Sequence, residues 1–245
     1  MKESAEVLFY PGCQAEERAQ EVREAGKVVL EAFDVDYTLL KDFNCCGLPA
    51  ILIGDGETAR ELAKKLKEKI LALGTKKIVT TCAGCTSNLN YLSERDGWNI
   101  PVYHTLEYLI EEIGIDILTE KLTADEGTQS VTIHSPCHLI RHTSRQLADY
   151  AAKIVEAMPN TRYTQSVLHD SCCGGGGMVG YHSPDVANRV ARENLRAIKR
   201  TGASRVLAPC PLCTAHIEEM LFKTGSSVEV DDLTVFIAQR LFKKE

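Results

Sequence analysis

The chain has 245 residues, 44% hydrophobic and 25% charged, with a formal net charge of −6. This is the make-up of a folded protein with a sizeable core. It speaks against a nucleic-acid binder, which would carry a basic stripe, and against a membrane span, since apolar runs such as Ile51-Leu52-Ile53 are far too short.

In chain order, Val7-Leu8-Phe9 reads as a short buried strand running towards Cys13. A helix fits residues 15–33, and the pair Cys45-Cys46 follows, with Gly47 behind it. Residues 57–73 place Leu62, Leu66, Ile70 and Leu73 on one helical stripe, with Gly74 as a stop. Ile78 to Thr81 form a strand that ends at Cys82-x-x-Cys85, and a strand over residues 100–103 precedes His104 and a helix over 105–113. The polar stretch 121–130 reads as a boundary. The series then restarts. Val131-Thr132-Ile133 leads to Cys137, helices fit 145–158 and 185–198, and Cys172-Cys173-Gly174 lies between them. A strand at 205–208 runs into Cys210-x-x-Cys213, and a last helix fits 233–242.

The ten cysteines therefore form two sets of five. Between Cys13 and Cys45 lie 31 residues, and between Cys46 and Cys82 lie 35; the second set has 34 and 36. Such matched spacing marks a duplication, with units 1–122 and 123–245. The expected fold is α/β: two tandem duplicated Rossmann-like units with short parallel sheets and the cysteines at the carboxyl ends of the strands. Residues 1–4 lack an apolar h-region, so no signal peptide and a cytoplasmic location are expected. In a reducing compartment so many cysteines point to metal or redox chemistry rather than disulfides.

Five thiols exceed the four ligands of a zinc site or of an ordinary cubane cluster. Adjacent cysteines make a strained disulfide, but both can reach one multi-iron body from a sharp bend. Gly47 and Gly174 would supply that bend and leave N–H groups free to face sulfur. The CxxC pairs would open helices, whose N-terminal dipoles favour thiolate.

On these residues the chain resembles the CCG cysteine-rich domain, found in iron–sulfur subunits of heterodisulfide reductases, in some of them as the C-terminal part. Related domains occur in iron–sulfur subunits of glycolate oxidase, anaerobic glycerol-3-phosphate dehydrogenase and lactate-utilisation proteins. The motif is covered twice, over nearly the whole chain. The resemblance implies one noncubane [4Fe-4S] cluster on Cys13, Cys45, Cys46, Cys82 and Cys85, and another on Cys137, Cys172, Cys173, Cys210 and Cys213. It implies a thiol–disulfide oxidoreductase subunit, the alternative being an electron relay in a flavin-dependent lactate- or glycolate-type dehydrogenase complex. A ferredoxin-like C-x-x-C-x-x-C-x-x-x-C-P run is missing from this sequence. Electrons are then expected to pass through a ferredoxin-like subunit and a flavoprotein, with any membrane docking left to partners and no nucleotide or flavin bound here.

The halves differ after their first cysteine. His138, Arg141, His142 and Arg145 would share a cationic helix face where the first half has Gln14, Glu17, Arg18 and Glu21. Arg141 and Arg145 are candidates for binding an anionic substrate, and His138 and His142 for giving protons to released thiolates; the alternative is a solvated basic face. His134 and His169 either hydrogen-bond cluster sulfur or sit as core residues. His104 is a similar lining position, with its counterpart near Asp231. The run Gly174 to Gly177 lacks a phosphate-loop lysine and fits backbone wrapping around a cluster better. Zinc in one half, or a thioredoxin-like Cys210-Pro-Leu-Cys213, are the competing readings of the thiols.

Overall fold

The computed structural model describes residues 5–124 and 127–241. Residues 1–4, the centre of the boundary segment and Phe242 lie outside them. The first half runs β1 (Val7–Phe9), α1 (Cys13–Glu17), α2 (Gln20–Ala32), β2 (Tyr37–Thr38), α3 (Leu48–Leu52), α4 (Gly56–Leu73), β3 (Lys77–Thr80), α5 (Ala83–Arg95), β4 (Val102–His104) and α6 (Thr105–Tyr108). A π-helical turn at Leu109–Ile113 continues α6, and α7 (Ile115–Lys121) follows. The second half runs β5 (Gln129–Ile133), α8 (Cys137–His142), α9 (Gln146–Glu156), β6 (Thr161–Tyr163), α10 (Val179–His182), α11 (Pro184–Arg200), β7 (Arg205–Ala208), α12 (Pro211–Lys223), β8 (Glu229–Asp232) and α13 (Leu233–Ala238).

Each half builds a four-stranded sheet, ordered β2-β1-β3-β4 and β6-β5-β7-β8. All strand pairs in both sheets are parallel. Val7, Leu8 and Phe9 are all buried, as parallel strands covered on both faces must be. The order reverses between β1 and β3, and between β5 and β7. At such a switch point the connections leave in opposite directions and open a crevice beyond the carboxyl ends of the strands. Cys13 and Cys82 stand at the first crevice, Cys137 and Cys210 at the second. No helix among the described residues is long and apolar enough to cross a membrane.

The helix expected over 15–33 is two helices. The Ala19 N–H reaches back five residues to the Gln14 carbonyl (2.8 Å), which ends α1 and lets α2 leave on a new axis. The second half repeats the device, with Ser144 N–H on the Leu139 carbonyl (2.9 Å). Consequently α8 stops at His142, and Arg145 is the N-cap of α9 rather than part of one cationic face. The wide turn serves both needs of this segment: a first turn fixed at the cysteine, and a long helix lying on the sheet.

The two halves pack through their helices. α2 lies on α13, α6 on α9, α5 on α8 and α1 on α12. Val29, Leu106, Leu109, Leu118 and Leu122 of the first half join Ile133, Ile154, Phe236 and Ile237 of the second in one buried cluster. A fully buried leucine or phenylalanine contributes roughly 1.5–3 kcal/mol, so this shared core holds the halves together. The sequence repeat is the basis for dividing the chain at residue 122, and the core runs across that point.

Candidate metal centre

Six of the ten cysteines sit where a strand gives way to a helix, and the paired cysteines lie in the loops that follow β2 and β6. Cys13 and Cys137 are the first residues of α1 and α8; Cys82 and Cys210 are the N-caps of α5 and α12, with Cys85 and Cys213 one turn inside. Thr81 ties the β1 and β3 loops together by donating its hydroxyl to the Pro11 carbonyl (3.0 Å). The paired cysteines precede Gly47 and Gly174, whose φ values are +86° and +93°. A Cβ on Gly174 would stand 2.7 Å from the Ala187 carbonyl, so helix α11 could not approach a larger residue there. All ten cysteines are free thiols. Sulfur separations are 3.9 Å for Cys13–Cys45, 3.8 Å for Cys46–Cys85, 4.0 Å for Cys137–Cys172 and 3.4 Å for Cys173–Cys213. Both sequence-derived sets of five are thus drawn to one rim in each half.

The backbone prepares these sulfurs for negative charge. Gly174 N–H donates to Cys172 Sγ (3.3 Å) and Gly175 N–H to Cys173 Sγ (3.4 Å), which gives the glycine run its local purpose. Hydrogen bonds from the thiols of Cys13 and Cys46, helped by the Gly47 N–H, hold Cys45 down at about 3. The equivalent set, Cys137, Cys173 and the Gly174 N–H, holds Cys172 at about 2. The thiolates so formed push Cys46 and Cys173 up to about 12 and raise Cys13 and Cys137 as well. In the second cradle Cys210 is also held well below its ordinary value, by the thiols of Cys213 and Cys82, and the raised thiols of both cradles give up their protons as a cation arrives.

The cradles also meet each other. Each CxxC helix packs on the helix that carries the other half's first cysteine, and the Cys82 and Cys210 thiols are near enough across the join to shift each other's ionisation. His134 is buried at the end of β5, with a ring nitrogen within 4.8 Å of the sulfurs of both Cys173 and Cys213. His169 acts through its backbone, its carbonyl accepting from Ser135 N–H (2.6 Å). His104 caps α6 by accepting the Leu106 N–H at Nδ1 (3.2 Å); its counterpart is Asp232, which caps α13 through the Thr234 N–H (2.8 Å).

Of the cationic group, His138 is half-buried and its Nδ1 lies 3.1 Å from Ser87 Oγ of the other half. The Ser87 hydroxyl also lies 3.0 Å from the Gly84 carbonyl, so this serine links His138 to the first turn of α5. Its ring lies 5.0 Å from that of exposed His142. Arg141 donates to the Asp170 carbonyl (3.3 Å) and Arg145 to the Asp170 carboxylate (3.4 Å). These four side chains are gathered beside Cys137 and the Cys172 loop, although only three share a helix. Sequence reasoning missed Asp170, Ser87, and the buried Asn88 and Asn194. The amides of those two asparagines donate to the carbonyls of Cys46 (2.8 Å) and Cys172 (2.6 Å) and so fix the paired-cysteine loops. The available signal was a short polar side chain on the inner stripe of α5 and of α11.

The donor set suits an iron–sulfur cluster in each half: five soft thiols, unpaired in disulfides, with backbone N–H groups aimed at sulfur. The chain is 32% identical over 222 residues to an uncharacterized iron–sulfur protein of Methanococcus maripaludis, covering 90% of this chain and 42% of that one. It is 29% identical over 250 residues to one subunit of the dihydromethanophenazine:CoB–CoM heterodisulfide reductase of Methanosarcina acetivorans, covering 98% of this chain and 60% of that one. It thus spans about half the length of these relatives. Among solved structures, a hypothetical protein from Helicobacter pylori shares the fold, with a TM-score of 0.64 at 10% identity, over 100% of this chain and 52% of that one. The CCG cysteine-rich domain pattern matches residues 7–90 and 131–218, so the chain belongs to the CCG cysteine-rich domain family.

Proposed function

We propose that this chain holds two cysteine-ligated [4Fe-4S] clusters of the noncubane type and serves as the iron–sulfur subunit of a heterodisulfide-reductase-like thiol–disulfide oxidoreductase complex. The observation that carries the reading is the doubled cradle: five thiols at each of two strand rims. Cys13, Cys45, Cys46, Cys82 and Cys85 would hold one cluster, and Cys137, Cys172, Cys173, Cys210 and Cys213 the other. Bound there, a cluster would supply one-electron transfer and an iron open to sulfur. The chain's own residues do the rest. The buried Cys46, Cys85, Cys173, Cys210 and Cys213 keep the inner wall of the cradles dry. Arg141 and Arg145, steadied by Asp170, draw an anionic disulfide to the mouth of the second cradle. His138 and His142 stand beside them to protonate departing thiolates. Partners of this reading are a ferredoxin-like iron–sulfur subunit and a flavoprotein, which would provide any membrane docking. The name of the Methanosarcina relative supports the thiol–disulfide chemistry.

Metal analysis and electron paramagnetic resonance on anaerobically prepared protein test this. About eight irons per chain, with a signal that changes when the right disulfide is added, are expected. About four irons plus zinc would overturn the second cluster. Eight irons that answer to no disulfide would assign the chain to electron relay in a flavin-dependent dehydrogenase complex. Replacing Arg141 and Arg145 by Gln should raise the KM for the disulfide and leave kcat nearly unchanged; unchanged KM would remove them from substrate binding.

A further inference from the structure

We infer that the buried imidazole of His134 hydrogen-bonds the sulfurs of the second cradle and sets that site at a higher reduction potential than the first, making the second half the electron-accepting end of the pair. The inference rests on both cradles holding clusters.

Three residues before the first cysteine, just past the ends of β1 and β5, the halves carry Tyr10 and His134. Both side chains are buried, at 1% exposure, against their own thiols. Tyr10 gives its proton away: the hydroxyl donates to the Asn44 carbonyl at 2.6 Å, leaving no donor for sulfur. His134 has no such outlet, because neither ring nitrogen has a hydrogen-bond partner among the described residues. A neutral imidazole always carries one N–H, and burial of that N–H without an acceptor is costly. The sulfurs of Cys173 and Cys213 lie within 4.8 Å of a ring nitrogen, and the bond we infer closes that gap once a cluster fills the cradle.

A hydrogen bond to a cluster sulfur stabilises the extra negative charge of the reduced state and so raises the potential. The rim charges act in the same direction. Arg141, His142 and Arg145 stand at the second mouth, where the first has Glu17, Arg18 and Glu21. They are exposed and therefore screened, which leaves His134 as the larger influence. The packing of each CxxC helix on the other half's first-cysteine helix brings the two sites close enough for electrons to pass from the lower to the higher.

Potentiometric titration of the iron-loaded full chain, followed by paramagnetic resonance, tests this. The two signals are assigned with chains in which Cys45 and Cys46, or Cys172 and Cys173, are replaced by Ser. Two midpoints are expected, the higher one belonging to the second half. His134→Phe should lower that midpoint alone, by at least tenfold in the one-electron equilibrium, about 59 mV. Tyr10→His should raise the first. A higher midpoint in the first half, or a second midpoint that His134→Phe leaves in place or moves together with the first, would overturn the inference. If His134→Phe fails to load iron, Tyr10→His decides, and an unmoved first midpoint overturns it. Iron analysis of the wild-type chain separates the two levels. A second half without iron refutes the cluster reading itself, whereas two loaded sites of equal potential refute only the role of His134.

Discussion

The two halves have the same strand order, the same broken helix after the first cysteine and the same five thiols, yet the groups facing those thiols differ. Tyr10 stands opposite His134, Gly12 opposite Pro136, His104 opposite Asp232, and Glu17 and Glu21 opposite Arg141 and Arg145. His104 and Asp232 show the pattern well. Both cap a helix through the N–H two residues on, so the backbone geometry is the same. One is a neutral imidazole pushed down to about 4 by burial, the other a carboxyl pushed up to about 8 by the same cause. The duplication keeps what fixes the position of sulfur and varies what sets its electrical surroundings. That is a way to build two similar sites with different chemistry.

The sharpest test of this comparison is to disable one cradle at a time. Replacing Cys45 and Cys46 by Ser should remove roughly half of the bound iron and leave the second site loaded, and Cys172 with Cys173 should do the reverse. Loss of all iron from either variant would show the cradles to be one site. The shared core comes next. Phe236 is fully buried where α13 lies on α2, and Phe236→Ala should cost about 3–5 kcal/mol in a single cooperative urea transition. Two separate transitions, with only one of them shifted, would mean the halves fold independently.

A smaller effect distinguishes the approaches to the first cysteine. Gly12 has φ +91°, and a Cβ there would lie 2.9 Å from Cys85 Sγ. Gly12→Ala should cost roughly 1–3 kcal/mol and weaken iron retention in the first half. At Pro136, whose φ of −61° suits any residue, Ala should leave iron retention unchanged. Equal losses at the two positions would break the contrast.

The smallest effect is a pH slope. Glu107, in the capping box of α6, is pushed up to about 7 by burial, whereas the corresponding position in α13 is Val235. A carboxyl raised above its unfolded value of about 4.3 holds a proton that the unfolded chain has lost, so stability falls as pH rises from there to about 7. Glu107→Gln should flatten unfolding free energy across that window; an unaltered slope would assign it to other groups.

The strands, the duplication and the ten thiols were legible because each is written locally. Short apolar runs end at cysteines, and the positive-φ bends carry glycine at residues 47 and 174. Helix breaks at 18–19 and 143–145 were not, because the side-chain pattern continues through both and the five-residue turn answers to where the helix must lie.

By itself, then, the sequence determined the α/β class, the repeat and the two sets of five thiols, since periodicity and spacing need no partner to be read. Only the tertiary structure decided that the core is shared, that each CxxC helix packs on the other half's first-cysteine helix, that Asn88 and Asn194 pin the paired-cysteine loops, and that His134 lacks the outlet Tyr10 has. Each of these depends on packing between residues distant in the chain, many of them in different halves, and helical or strand periodicity says which face of an element is apolar but not which element will cover it.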